Sequence, residues 1–284
     1  MKPVVQLFSN PAAGPRKARR IAALARALEA EGATVIHSES AGSPPVIGDG
    51  VTHVCVAAGD GTVRHVAGAV ARGGHDVTLS IFPAGTVNLL AMEAGYPRRP
   101  RAFARYVLAS RPPRHHYPVA IGEGWFFACA GVGPDSLAVA GVSTSLKRRI
   151  GRLAYLVAVA RLLHRWPRHR IRLAVDGHEL ACEAFYVAKG RYYAGRWRLA
   201  REARVDDPAL HVVALARARR RDYARFVLSL ALGRDLARLA NVRIIAGTAL
   251  HASADAALPV QADGDIVCAL PVTLAVRELP LVFC

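Results

Sequence analysis

The sequence predicts two domains, an α/β N-terminal domain built on a parallel sheet over residues 1–117 and a mostly β, sandwich-like domain over residues 118–284, with the last strand free to return to the first domain. Three observations predict it. Apolar strands alternate with amphipathic helices through the first ~115 residues, the pattern of parallel α/β units. Beyond a Pro- and Arg-rich stretch at 111–114, read as a linker, the chain becomes a series of short apolar runs with only two helical segments. With 284 residues and 52% hydrophobic composition, the chain has ample material for sizeable cores and is not disordered in general.

The elements follow in order. Residues 4–8 form an apolar strand that ends in Asn10-Pro-Ala-Ala-Gly14. A helix starts at Pro15, a residue pre-set for a first helical turn, with Ile21, Leu24, Ala25 and Leu28 on one face and Arg16, Arg19, Arg20 and Arg26 on others. Strands follow at 34–37, 54–57 and 79–82. After the third comes Gly59-Asp-Gly-Thr62 and an amphipathic helix starting at a Thr62 cap, carrying Val63, Val66, Ala67 and Val70. After the fourth comes Pro83-Ala-Gly-Thr-Val-Asn88 and a short helix. In open parallel sheets, ligands gather at the carboxyl ends of strands, where all three of these turns fall. In the second domain, strands are expected at 119–121, 125–129, 171–175, 179–188, 210–215, 242–245, 258–262 and 271–276. Asp176-Gly177 is a hairpin turn, and helices are expected at 146–165 and 222–232.

A net charge of +17, from 38 Lys and Arg against 21 acidic residues, points to polyanionic partners: nucleotides, nucleic acid or an anionic lipid surface. The basic residues are dispersed and no nucleic-acid-binding module is present, so nucleic acid is not the expected partner. Five cysteines without CxxC spacing read as small hydrophobes in a reducing compartment. The apolar start is too short for a signal segment, and no run reaches the ~18 uncharged residues of a spanning helix. The expected location is the cytoplasm, at most peripheral at the inner membrane face. A homodimer is left open.

The turn Gly59-Asp60-Gly61-Thr62 carries the chemistry. A glycine-rich turn opening a helix brings backbone N–H groups and a favourable dipole to phosphate oxygens. A carboxylate at the same place, Asp60, fits if a divalent cation lies between it and the phosphates. Taken alone, the tetrad reads equally well as an ordinary strand-to-helix turn.

Set in order, Asn10-Pro-Ala-Ala-Gly14, Gly59-Asp-Gly-Thr62, Pro83-Ala-Gly-Thr-Val-Asn88, Gly131-Val-Gly-Pro-Asp135, Lys147…Gly151-Arg-Leu-Ala-Tyr155 and Asp263-Gly-Asp265 resemble the diacylglycerol kinase catalytic-domain family, which includes sphingosine kinases and bacterial soluble lipid kinases. The resemblance runs through nearly the whole chain. It implies a Rossmann-like first domain of the NAD-kinase/diacylglycerol-kinase type and transfer of the γ-phosphate of ATP, with Mg²⁺, to a hydroxyl of a diacylglycerol-like or sphingoid lipid. By resemblance, Gly59, Asp60, Gly61 and Thr62 lie against the ATP phosphates. Gly85, Thr86 and Asn88 close the nucleotide pocket, Asn10 hydrogen-bonds at the nucleotide, and Ser38, four residues before Gly42, matches a nucleotide-contacting Thr. Asp265 matches the carboxylate that takes the proton from the lipid hydroxyl, with Asp60 the second catalytic carboxylate. Asp206 and Asp207 stand in the family's metal loop.

Four departures mark this chain: Ala58 for the first Gly of Gly-Gly-Asp-Gly-Thr, His65 for Glu, Asp265 for a longer Glu, and Pro208 for Gly in the metal loop. The 146–165 helix, apolar over more than one face and rimmed by Lys147, Arg148, Arg149 and Arg152, reads either as a lipid-facing element or as a core helix. Two alternatives accompany the lipid-kinase reading: an NAD kinase-like small-molecule kinase, which shares Gly-Asp-Gly, and a non-catalytic nucleotide- or lipid-binding regulator.

Overall fold

Strands β1 (Val4–Ser9), β2 (Thr34–Glu39), β3 (His53–Ala58) and β4 (Thr78–Pro83) run parallel in the order β2-β1-β3-β4. The computed structural model describes residues 2–10, 14–40, 44–141, 166 and 168–284. These form two compact units, residues 1–117 with 279–284, and residues 118–278.

In the first unit, β1, β3 and β4 are buried along nearly their whole length, as strands of a parallel sheet covered on both faces must be. Edge strand β2 is largely exposed. Helix α1 (Pro15–Ala30) buries Ile21, Leu24, Ala25 and Leu28, the stripe its 3.6-residue spacing predicts, and packs against α4 (Pro100–Leu108). Helix α2 (Asp60–Gly73) buries Val63, Val66, Ala67 and Val70 and ends on the left-handed Gly74. Its N-cap is Gly59 with no side-chain cap bond, so the expected Thr62 cap is displaced by one turn: the extended backbone at Gly59 already starts the helix. A short helix α3 (Leu89–Glu93) follows β4.

Two strands extend this sheet beyond its expected members. Strand β5 (Arg114–His116) begins inside the stretch read as a linker. The last strand of the chain, β18 (Leu281–Phe283), pairs parallel to β4 and antiparallel to β5. The second unit ends at Glu278, and the last strand of the chain returns to the first sheet along the open edge of β4. Three residues are too few for any periodicity to announce.

The second unit holds two antiparallel six-stranded sheets. One has the order β10-β9-β14-β17-β6-β7, from β6 (Val119–Ile121), β7 (Gly124–Phe126), β9 (Ile171–Val175), β10 (His178–Cys182), β14 (Ala249–Ala254) and β17 (Val272–Val276). The other has the order β13-β12-β11-β8-β15-β16, from β8 (Cys129–Val132), β11 (Ala184–Ala188), β12 (Leu210–Leu215), β13 (Val242–Gly247), β15 (Pro259–Ala262) and β16 (Asp265–Ala269). Val119, Phe126, Leu173, Phe185, Val187, Val212, Leu250 and Leu274 share the main core. Tyr186, Val213 and Leu215 point the other way and pack under Phe226 and Leu230 of helix α6 (Arg220–Ala231). Strands β11 and β12 thus bury both faces, one residue in each direction along the period of two.

The single runs expected at 125–129 and 179–188 are each two strands, the second broken at Glu183, whose carboxylate takes Arg168 and the Ala218 N–H. Asp176 and Gly177 both have positive φ and form the expected β9–β10 hairpin turn. Strand β14 and helices α4 and α5 (Pro134–Ala140) had no sequence expectation. The expected 146–165 helix and the motif from Lys147 to Tyr155 lie outside the described residues.

Candidate functional site

The parallel register of the first sheet decides where the polar turns meet. Phe8 pairs with Ser38 and with Val56, and Ala58 with Pro83, so β1 to β4 end level with one another. Four sequence-distant features therefore line one carboxyl edge: Ser38, Asn10, Gly59-Asp60 and the 83–88 turn. The order β2-β1-β3-β4 reverses direction between β1 and β3, the place where open α/β sheets bind ligands. Asn10 and Gly59 flank that switch point.

The β3–α2 and β4–α3 turns are locked together by their backbones. A Cβ on Gly85 would lie 2.4 Å from the Gly59 Cα and 2.7 Å from Asn88 Oδ1, so only glycine fits at 85. Asn88 adopts left-handed φ at 60° and closes the turn on itself, its Oδ1 accepting the Gly85 N–H (2.7 Å) and its Nδ2 donating to the Gly85 carbonyl (3.0 Å). Thr86, at the tip, is exposed.

Asp60 ties the turns a second time. Its Oδ2 accepts the Asn88 N–H at 2.9 Å. Burial holds the Asp60 carboxyl above its ordinary value, while N–H bonds from Asn88, Leu89 and Leu90 pull it down less strongly. Asp60 is thus both the first residue of α2 and the acceptor for the first N–H groups of α3. Gly61 and Thr62 stand half-buried in the first turn of α2, whose N-cap Gly59 makes no side-chain cap bond. Of the departures, Ala58 is buried at the end of β3 and His65 is exposed on α2.

Ser38 accepts Gln6 Nε2 at 2.9 Å, leaving its hydroxyl proton to donate. Gln6 also bonds the Val46 carbonyl and the Gly48 N–H, which anchors the chain after β2. Sequence reading passed over Gln6. Its signal was a lone amide inside the apolar run Val4-Val5-Gln6-Leu7-Phe8, which a buried strand tolerates only when the amide is fully hydrogen-bonded.

In the second unit, Asp263 and Gly264, both at positive φ, make the two-residue turn between β15 and β16, with Ala262 paired to Asp265. The two acidic residues of this turn have separate tasks. Asp263 is 7% exposed, and its carboxylate accepts the N–H groups of Phe127 (2.8 Å), Ala128 (2.9 Å) and Cys129 (3.1 Å). It pins the turn to the start of β8. Asp265 opens β16, half-buried, two residues beyond that anchor.

Asp135 sits in the first turn of α5, its Oδ2 accepting the Tyr193 hydroxyl at 2.9 Å. Burial raises its carboxyl, and the Tyr193 bond offsets part of that. Tyr186, beside Tyr193, donates to Tyr223 at 3.0 Å.

The expected metal ligands Asp206 and Asp207 lie in the turn that precedes β12. Asp206 is exposed, and the main-chain oxygens of their turn are held by the buried Lys189 ammonium. Among the described residues no group of three His, Cys, Asp or Glu side chains is placed to hold a metal. Asp60 fits a different kind of site, since Mg²⁺ commonly takes one carboxylate and completes its shell with phosphate and water.

A switch-point crevice lined by glycine turns, on a chain that continues into a β-sandwich, defines the diacylglycerol kinase/NAD kinase fold type. Solved structures share it: a diacylglycerol kinase from Bacillus anthracis has a TM-score of 0.76 at 17% identity, covering 99% of this chain and 96% of that one. Yeast NADH kinase complexed with NADH has a TM-score of 0.51 at 9% identity, covering 99% and 83%. Residues 4–115 match the diacylglycerol kinase catalytic domain, and residues 128–282 match the YegS C-terminal NAD kinase beta sandwich-like domain. The chain belongs to the family that joins these two domains. Among curated relatives, a protein of Pseudomonas aeruginosa named "Probable lipid kinase YegS-like" is 34% identical over 159 residues, 54% of this chain and 51% of that protein. A Mycobacterium tuberculosis protein named diacylglycerol kinase is 28% identical over 241 residues, 81% and 75%. The matched segment spans about half the length of the Pseudomonas relatives.

Proposed function

We propose that the protein is a lipid kinase that transfers the γ-phosphoryl group of ATP, with Mg²⁺, to a hydroxyl of a diacylglycerol-like or sphingoid lipid. The observation that carries this reading is the parallel register, which gathers Asn10, Ser38, Gly59–Thr62 and Gly85–Asn88 at one switch point of a chain of this family. The N–H groups of Gly61 and Thr62 in the first turn of α2 suit phosphate oxygens, and Asn10, Ser38 and Thr86 supply polar edges for the nucleotide. Asp60 would hold Mg²⁺ through lone pairs not taken by the α3 N–H groups. The ion, when bound, neutralises phosphate charge.

Asp265 is the proposed general base. A lipid hydroxyl is a poor nucleophile until its proton is removed in the transition state, and a carboxylate within hydrogen-bond reach does this. The main-chain bonds to Asp263 make the turn stiff, which is what a base needs to hold its aim. Helix α6 supports a membrane-bound acceptor: it exposes Arg220, Arg221 and Arg225 beside Leu228 and, just past its end, Leu232, the pairing of cations and apolar side chains that suits an anionic bilayer surface.

The test is thin-layer analysis after incubating the protein with γ-labelled ATP, Mg²⁺ and a mixed bacterial lipid extract. A labelled, Mg²⁺-dependent phospholipid is expected. Label transferred to NAD in place of lipid, or no transfer at all, would overturn the proposal.

A further inference from the structure

Lys189 follows β11 directly and is 0% exposed. Its Nζ donates to three main-chain oxygens of one short turn: Arg204 (2.9 Å), Val205 (3.2 Å) and Asp207. An ammonium carries three donors and no acceptor, and here three carbonyls converge on it. Backbone oxygens converging on one cation from a tight turn is also how oxygen cages hold hard metal ions. The turn leads into β12, which pairs with β11 so that Ala188 faces His211. Lysine and turn are therefore fixed to adjacent ends of the same strand pair.

We propose that Lys189 is a built-in cation: its ammonium fills the carbonyl cage of the 204–207 turn, and the turn therefore takes no divalent metal. The charge arrives on a covalent tether and folds in with β11. Nothing has to be captured from solution. A buried ammonium is tolerated only where such a cage replaces its water shell. Pro208 agrees with this arrangement: a turn whose carbonyls are already organised by an internal donor can accept a residue with fixed φ.

The test uses the full chain without nucleotide and reads melting temperature and metal binding, never phosphotransfer, so its outcome is independent of the proposed activity. Lys189→Ala should lower Tm by on the order of 10 °C, because three main-chain carbonyls lose their donor and the buried stem of the side chain leaves a void. Millimolar ethylammonium or Mg²⁺ should restore part of that loss in Lys189→Ala. Lys189→Met, whose side chain fills the stem volume, should be equally destabilised but unresponsive. In the wild type, Mn²⁺ binding counted by electron paramagnetic resonance should be the same with or without the double substitution Asp206→Ala, Asp207→Ala. An unchanged Tm for Lys189→Ala would overturn the proposal. So would Mn²⁺ binding in the wild type that disappears in the double variant, a result that stands even if the Lys189 variants fail to fold.

Discussion

Asp60 places two demands on one carboxylate: it accepts the N–H groups that open α3, and the proposed chemistry asks it to face a metal. Asp60→Asn keeps one acceptor oxygen for α3 and loses the charge. Stability should therefore fall only slightly, by about 1 kcal/mol or less, with Tm nearly unchanged, while phosphotransfer collapses. Full activity in that variant would remove the metal role. Asp265→Asn should leave nucleotide affinity intact and cut turnover roughly a hundred- to ten-thousand-fold, the range for a lost general base, whereas Asp265→Glu should keep measurable activity. Asp135 gives a pH signature. Its carboxyl is raised by burial, so the folded state holds a proton that the unfolded chain releases at about pH 4. Stability from the neutral form is full below that pH and is lost as pH rises through the folded value. Asp135→Asn should flatten the decline in Tm as pH rises above about 4. An unchanged slope would assign the decline to other groups.

At the scale of elements, two turns act as one. The β3–α2 and β4–α3 turns meet at Gly59 and Gly85, and Asn88 and Asp60 bond them together. Gly85→Ala must push the turns apart, since its Cβ would sit 2.4 Å from the Gly59 Cα. Nucleotide affinity, measured by titration calorimetry, should drop at least about tenfold, matching a cost of roughly 1.4 kcal/mol or more. Unaltered affinity would show that this contact does not shape the pocket. Both turns were legible in the sequence because glycine and asparagine at strand ends have few other uses. Their contact was not, because residues 59 and 85 are brought together only by the β3–β4 register.

For the whole molecule, the net charge of +17 is the dominant long-range property. Co-sedimentation with vesicles should rise with the anionic lipid fraction and fall steeply with added salt. Salt-insensitive binding would point to an apolar anchor in place of surface charge. No helix among the described residues is long and apolar enough to cross a membrane.

The sequence by itself determined the classes of element, the glycine turns and the family. Strand periodicity, helix stripes and motif order are local, and short-range sterics and burial enforce them within a few residues. Tertiary structure alone decided how acidic and basic residues divide their labour. Asp263 and Asp265 look alike in Asp-Gly-Asp, yet one is consumed by the N–H groups of Phe127, Ala128 and Cys129, more than 130 residues away in the chain. The main-chain oxygens of the turn that carries Asp206 and Asp207 receive the Lys189 ammonium from the neighbouring strand, a contact no local pattern announces. The strand 281–283 belongs to the first sheet because β4 has an edge to fill. Hydrogen-bond satisfaction of buried polar groups is a condition on the folded chain as a whole, so it becomes visible only once distant strands are in register.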